Sequence, residues 1–171
     1  MAEIKLVRDL MTVGVPTCPP DTPVIDVVRL LLDSGLDAVI VLDAEGHAVG
    51  VVSRDDLVRA YAQETEPALT AEAVMSEGVP QIPPDIPLTA AAQLMRDQGV
   101  RTLYLMHNAD GITYPAAMLS YTHLLRHLAA DSTDDLTDLG IKAEREPPLA
   151  QFFKRRDEAR RRAAGKGSSS S

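Results

Sequence analysis

The chain has 171 residues, one cysteine, no tryptophan and a formal charge of −8 from 25 Asp/Glu against 17 Lys/Arg. A single thiol excludes an internal disulfide framework, a four-thiolate zinc site and a CxxC redox pair, and suits a reducing, cytoplasmic setting. Met1 to Val15 lacks the continuous apolar stretch of a secretion signal, no segment approaches the ~20 apolar residues of a membrane span, and aromatics at 4% leave few stacking platforms for single-stranded nucleic acid.

Asp21-Thr22-Pro23 offers an N-cap followed by proline in the first turn, and Val24, Val27, Val28 and Leu31 recur at helical spacing until Gly35 stops the helix. Ala38 to Leu42 is a short β-branched run, Asp43-Ala44-Glu45-Gly46 supplies turn chemistry, and Ala48 to Val52 is a second apolar strand. Ser53 then caps a second helix, Arg54 to about Gln63, with Leu57, Val58 and Tyr61 as its expected inward face. After a linker from Glu64 to Leu69 the pattern returns. A helix is expected over Asp85 to Gln98, strands over Arg101 to Met106 and Tyr114 to Leu119, and a last helix over Tyr121 to Ala130.

The return is a true internal repeat. A shift of 64 residues superposes Met11 on Met75, Gly14-Val15-Pro16 on Gly78-Val79-Pro80, Pro19-Pro20-Asp21 on Pro83-Pro84-Asp85 and Gly35 on Gly99. That makes 11 identities over the 25 positions from Met11 to Gly35, where ordinary residue frequencies would give one or two. After a three-residue insertion in the second copy, Ser53, Leu57 and Arg59 align with Ser120, Leu124 and Arg126. A single β-α-β-β-α copy of about 60 residues leaves its sheet and helices incompletely buried, so the two copies should pack together.

The tail differs in kind. Residues 1–141 hold 21 Asp/Glu against 8 Lys/Arg, a charge of −13, whereas residues 142–171 hold 9 Lys/Arg against 4 Asp/Glu, a charge of +5. Pro147-Pro148 opens a candidate helix over 149–164, with Leu149, Phe152 and Phe153 at its start and Lys154-Arg155-Arg156 and Arg160-Arg161-Arg162 behind them. Such a segment reads as a solvated tail, or as a basic helix that meets the acidic body, nucleic acid or an anionic membrane surface.

Asp9-Leu10-Met11-Thr12, Pro19-Pro20-Asp21-Thr22-Pro23, the helix ended by Gly35, and Gly50-Val51-Val52-Ser53-Arg54-Asp55-Asp56 resemble a cystathionine β-synthase (CBS) domain, and the tandem pair resembles a Bateman module. The resemblance implies an α/β (α+β) fold in which two β-α-β-β-α repeats, 1–66 and 67–131, form a pseudo-twofold disc, with 132–171 as the tail. It also implies a stand-alone, non-enzymatic sensor, a homodimer of discs that binds AMP, ADP, ATP or S-adenosylmethionine, with Mg²⁺ beside a polyphosphate, in a cleft between repeats. No resident cofactor is expected. The rival is a ligand-free dimeric scaffold whose basic tail recruits nucleic acid or an acidic protein partner.

The physics of the Gly50 to Asp56 segment points the same way. A strand delivers Ser53 to a helix N-terminus, where free N–H groups and the dipole favour an anion, and one turn on Asp56 could accept the hydroxyls of a ribose. Read alone, Ser53 is a cap followed by first-turn acids; set in the repeat, it reads as an anion site. By resemblance, Thr17, Cys18 and Ala38-Val39 would line the adenine slot, Arg54 would border the site, and Arg101 would reach phosphates from the other repeat. Cys18 also reads as a small buried hydrophobe. The second cleft would hold Gln81, Asp37, Ser120 and His123, with Ala117 replacing the signature glycine. A histidine stands there in place of the ribose acid and an aspartate in place of the phosphate cation, so that site is expected to be degenerate. His123 and His127 share a helical face without a third metal ligand, and Ser120 with His123 lacks a nucleophile elbow, so neither metal chemistry nor catalysis is expected.

Overall fold

The chain of this computed structural model, described over residues 5–64 and 68–130, opens with one helical turn, α1 (Val7–Leu10), and two short strands, β1 (Thr12–Val13) and β2 (Thr17–Cys18). Helix α2 (Val24–Ser34), the hairpin β3 (Ala38–Leu42) and β4 (Ala48–Ser53), and helix α3 (Arg54–Ala62) complete the first repeat. The second runs through α4 (Ala71–Val74), β5 (Ser76–Glu77), α5 (Leu88–Gln98), the longer hairpin β6 (Thr102–Ala109) and β7 (Ile112–Ser120), and α6 (Tyr121–Ala129). Gly35 and Gly99, both at φ 66°, end α2 and α5 in the left-handed conformation that spares a glycine the Cβ penalty. Pro23 and Pro87 occupy the N-cap positions, and neither helix has a side-chain cap. The expected Asp21-Thr22 cap is not made, because the Thr22 hydroxyl donates to Pro19 O at 2.8 Å.

The leading arm of each repeat crosses into the other. β1 pairs antiparallel with β7, with Thr12 opposite Met118 and Val13 opposite Ala117. β5 pairs antiparallel with β4, with Ser76 opposite Val51 and Glu77 opposite Gly50. The two registers are the same under the repeat alignment, so the exchange obeys the pseudo-twofold. One sheet therefore has the order β1-β7-β6 and the other β2-β3-β4-β5, in which β2 runs parallel to β3 across α2. A parallel bridge from Gln81 to Tyr104 mirrors the β2–β3 contact in the second half.

The arms carry core residues with them. Val7, Leu10 and Met11 are buried among Ile82, Leu88, Ala91, Met95, Leu103 and Leu119 of the second repeat. Ala71, with Val74 and Met75 behind it, packs among Cys18, Val27, Leu31, Val39, Val41 and Val52 of the first. A third apolar layer, Val15, Ala38, Ile40, Val51, Tyr104 and Met118, joins the two sheets face to face. Main-chain bonds fasten each arm, Val7 N–H to Ile86 O at 3.0 Å and Ala71 N–H to Thr22 O at 2.8 Å among them. The mixed sheets and their helices make the fold α+β.

Helix α3 corrects one expectation. Leu57 packs on the first core as expected, but Val58 and Tyr61 face outward at 66% and 87% exposure. The sheet accepts only a narrow stripe of this nine-residue helix, and the buried side chain in its first turn is Asp56. The candidate helix over 149–164 and the basic tail lie outside the described residues, as does the linker over 65–67. Among the described residues no helix is long and apolar enough to cross a membrane.

Candidate functional site

Two clefts open between the repeats, on opposite sides of the pseudo-twofold. The larger, about 550 Å³, lies within the size range of small-molecule sites. Its walls combine Ala38, Ser53, Arg54 and Asp56 from the first repeat with Ser76 to Pro80 of the crossing arm and Gly99 to Thr102 from the second. The smaller, about 200 Å³, is lined by Thr12, Thr102, Ser120, Thr122, His123 and Arg126, with Asp37 and Ala38 shared between both.

In the larger cleft the strand–helix junction is built as a reciprocal cap. Asp56 N–H donates to Ser53 Oγ at 3.1 Å, while Ser53 N–H and Oγ–H donate to Asp56 Oδ2 at 2.8 and 2.6 Å. Oδ1 accepts from Ser76 Oγ and from the Arg59 guanidinium, each at 2.9 Å. The carboxylate is almost fully buried and has four donors. It is turned into the protein, and a ribose diol would reach it only by displacing Ser76 or Arg59.

Arg101 enters this cleft from the second repeat, and its Nη2 lies 3.4 Å from the Asp55 carboxylate. Arg54 donates from Nε to Leu36 O at 2.8 Å and from Nη2 to Leu31 O at 3.2 Å, with Asp37 3.9 Å from Nε. Each of the three arginines in the cleft therefore faces a carboxylate. Gly50 is required by proximity: a Cβ there would stand 2.6 Å from Met75 Sδ and 2.7 Å from Ser76 O, because the crossing arm lies directly over it.

The smaller cleft repeats the cap with histidine. Nδ1 of His123 accepts from Ser120 N–H at 2.9 Å, which leaves the ring proton on Nε2 to bond the Thr12 hydroxyl. Burial, and secondarily the Arg126 charge, hold this imidazole down at about pKa 4, so it is neutral at pH 7. The hydroxyl of Thr102, a residue in the wall of both clefts, is buried without a hydrogen-bond partner among the described residues.

Of the residues singled out in the sequence, Ala38, Ser53, Arg54, Asp56 and Arg101 converge on the larger cleft, and Asp37, Ser120 and His123 on the smaller. Thr17, Cys18, Val39 and Gln81 line neither. Cys18 and Val39 are core residues of the first repeat, and burial pushes the Cys18 thiol pKa up. Thr17 and Gln81 sit on the parallel pairings to Ile40 and Tyr104. The structure adds Ser76 and Arg59 to the wall of the larger cleft and Thr102 to the walls of both. The 64-residue shift pairs Ser76 with Thr12, but only the arm exchange reveals what either one touches.

The family model for the CBS domain matches residues 7–63 and 71–130. Over 54 residues the chain is 37% identical to an uncharacterized protein of Methanocaldococcus jannaschii, a match covering 32% of each chain, so it spans about a third of that relative. Among solved structures, the CBS domain pair of protein MJ0100, in complex with 5′-methylthioadenosine and S-adenosyl-L-methionine, superposes with TM-score 0.64 at 18% identity, covering 76% of this chain and 100% of that one. A CBS-domain-containing protein from Agrobacterium tumefaciens gives 0.64 at 21% identity over 73% and 94%. A CBS domain protein from Pyrobaculum aerophilum complexed with AMP gives 0.59 at 19% identity over 80% and 98%. The repeat, the exchanged arms and the two inter-repeat clefts thus have one common explanation: the chain belongs to the CBS-domain family, as a tandem pair.

Proposed function

We propose that the chain is a non-enzymatic regulatory module that holds an adenosine-containing ligand in its larger inter-repeat cleft. The carrying observation is that one cavity of about 550 Å³ gathers the Ser53 helix start from one repeat and Arg101 from the other. A ligand spanning both would bias the arrangement of the repeats by its differential affinity for the two states. Proteins of the same fold that are complexed with AMP or with S-adenosyl-L-methionine support the adenosine reading. Asp37, Asp55 and Glu77 in the lining favour a cationic ligand, or a polyphosphate accompanied by Mg²⁺.

The module acts as a homodimer in this reading. Val58 and Tyr61 on α3 are exposed, and so are their repeat equivalents Leu125 and Leu128 on α6. An apolar face repeated across a pseudo-twofold is suited to a second copy of the same chain in a closed, isologous contact.

The test is a thermal-unfolding panel with AMP, ATP, ATP with Mg²⁺, and S-adenosylmethionine. At 100-fold over Kd a true ligand stabilises the fold by about 2.7 kcal/mol, and Arg101→Gln, at an exposed side chain, should weaken that shift without lowering the unliganded midpoint. Silence from all four compounds would overturn the reading. Salt-dependent oligonucleotide binding that vanishes on truncation at Pro147 would instead support the scaffold with a basic tail.

A further inference from the structure

Helix α2 has an apolar patch that neither the core nor the pseudo-twofold accounts for. Ile25 and Leu32 lie seven residues apart on one helical face and stand 51% and 66% exposed. Their repeat equivalents on α5 are Thr89 and Arg96, so the second half has no counterpart. The face read above as a contact with a second copy, Val58 and Tyr61 with Leu125 and Leu128, is present in both halves and does not need this patch. An occupant that each chain carries once fits it better.

The patch is bordered by acid. Asp26 and Asp33 follow Ile25 and Leu32 at the same interval, so a row of carboxylates runs beside the apolar row. The only base of α2, Arg29, is paired with Asp26 at 3.3 Å. Exposed Asp21 precedes the helix, and exposed Glu72 on α4 donates its amide to Pro20 O at 3.0 Å, which sets it at the same end. The exposed apolar face of α6, by contrast, is accompanied by Arg126 and His127, and that helix has no acid.

The sequence contains one segment of complementary chemistry. Residues 149–164 hold six Lys/Arg against two Asp/Glu, and Leu149, Phe152 and Phe153 have the spacing of one helical face, directly before Lys154-Arg155-Arg156. Such a segment is repelled by α6 and attracted by α2. Eighteen residues separate Ala130 from Leu149, and an extended chain of that length spans about 60 Å, several times the ~14 Å radius of gyration of a domain this size. Reach therefore imposes no limit, and attachment to the same chain gives an effective concentration on the order of mM.

We propose that residues 149–164 dock on the outer face of α2 in the same chain, with Leu149, Phe152 and Phe153 over Ile25 and Leu32 and the basic side chains opposite Asp26 and Asp33. The seat adjoins both clefts. Leu31 O and Leu36 O accept from Arg54 of the larger cleft at 3.2 and 2.8 Å, and Ser34 to Leu36 line the smaller. A segment seated on Leu32 thus bears on the helix end that borders the two cavities.

The experiment compares amide spectra of the isotopically labelled full chain, without ligand, with those of the Phe152→Ser/Phe153→Ser double variant. Shift changes are expected over Ile25 to Ser34, unaltered by a tenfold change in protein concentration. In parallel, Ile25→Ser/Leu32→Ser should speed tryptic cleavage at Lys154 to Arg156 at least several-fold, while Val58→Ser on α3 leaves it unchanged. Amides of α2 that do not move overturn the proposal, as do amides that move only at high concentration, which would mark a second copy as the occupant. A rise in cleavage with Val58→Ser but not with Ile25→Ser/Leu32→Ser would place the segment on α3 and overturn it as well. Neither measurement involves Arg101 or an adenosine compound, so failure of the adenosine reading and failure of this one are recognised separately.

Discussion

The Ser76 hydroxyl donates to the Asp56 carboxylate at 2.9 Å, although the two residues belong to different repeats. Its counterpart across the pseudo-twofold is the Thr12 hydroxyl on Nε2 of His123. In each half, the third residue of the last helix bonds the hydroxyl that the other half's arm delivers. These two contacts tie the arm exchange to the walls of the clefts, so side chains that line each cleft also hold an arm in place.

Asp56→Ala should therefore be a stability variant before it is a binding variant. It leaves the Ser53 amide, the Ser76 hydroxyl and the Arg59 guanidinium without their acceptor, at an expected cost of about 2–3 kcal/mol once the exposed Arg59 is allowed to rehydrate. Urea unfolding at unchanged m-value measures it. A loss below about 0.5 kcal/mol, the ordinary range for surface changes, would show that the carboxylate is not holding the arm.

His123 predicts a stability slope at acidic pH. Its pKa is depressed in the folded state to about 4, from an ordinary 6.5, so between those values the unfolded chain binds more protons and stability falls as pH falls. The contribution is complete above pH 6.5, lost progressively down to about pH 4, and amounts to about 2–3 kcal/mol. Denaturation curves at pH 7 and pH 4.5 should show a markedly shallower drop in His123→Gln than in the parent chain. Equal drops would rule out a buried neutral imidazole.

Gly50→Ala should destabilise by about 1–3 kcal/mol or more, the range for overpacking, because one of the two close contacts is the backbone carbonyl of Ser76 and cannot rotate away. The second repeat has alanine at the equivalent Ala117, buried against the β1 arm. Thermal unfolding of the variant settles the point, and an unchanged midpoint would mean that the Ser76 carbonyl leaves room for a Cβ at position 50.

Leu10→Ala, at a residue only ten positions from the start of the sequence, should cost about 2–5 kcal/mol, as for a central core leucine. The reason is that Leu10 sits in the second repeat's core, 1% exposed. Near-neutral denaturation data would show that the arm does not dock there in solution.

Asp55→Asn frees Arg101 from its carboxylate. Exposed pairs are worth at most about 1 kcal/mol, so affinity for a phosphate-bearing adenosine ligand should rise about 2–5-fold, as measured by calorimetric titration. A fall in affinity would indicate that Asp55 itself contacts the ligand.

The elements that local chemistry specifies were legible from residue order alone. The helices ended by Gly35 and Gly99, the two hairpins and the Ser53 and Ser120 helix starts all depend on neighbours within a few positions. The side-chain directions at the site were less accessible. Asp56 is in the expected place but points into the protein, and Arg101 reaches the expected cleft but faces Asp55, because both outcomes depend on partners contributed by another segment. Val58 and Tyr61 are apolar at helical spacing and still face outward, since periodicity cannot tell how wide a stripe the sheet will cover.

Residue order by itself determined that this protein is a duplicated unit, with helix stops, hairpins and capped helices at matching positions, because each of those features is settled within one or two turns of chain. Only the tertiary structure decided that the leading arms trade places. Two-residue strands have no readable period, and their partners Gly50-Val51 and Ala117-Met118 lie about 25 and 105 residues away, joined only once the whole sheet forms. That exchange sets which hydroxyl meets Asp56 and which meets His123, and so gives two clefts of common ancestry different sizes and charges.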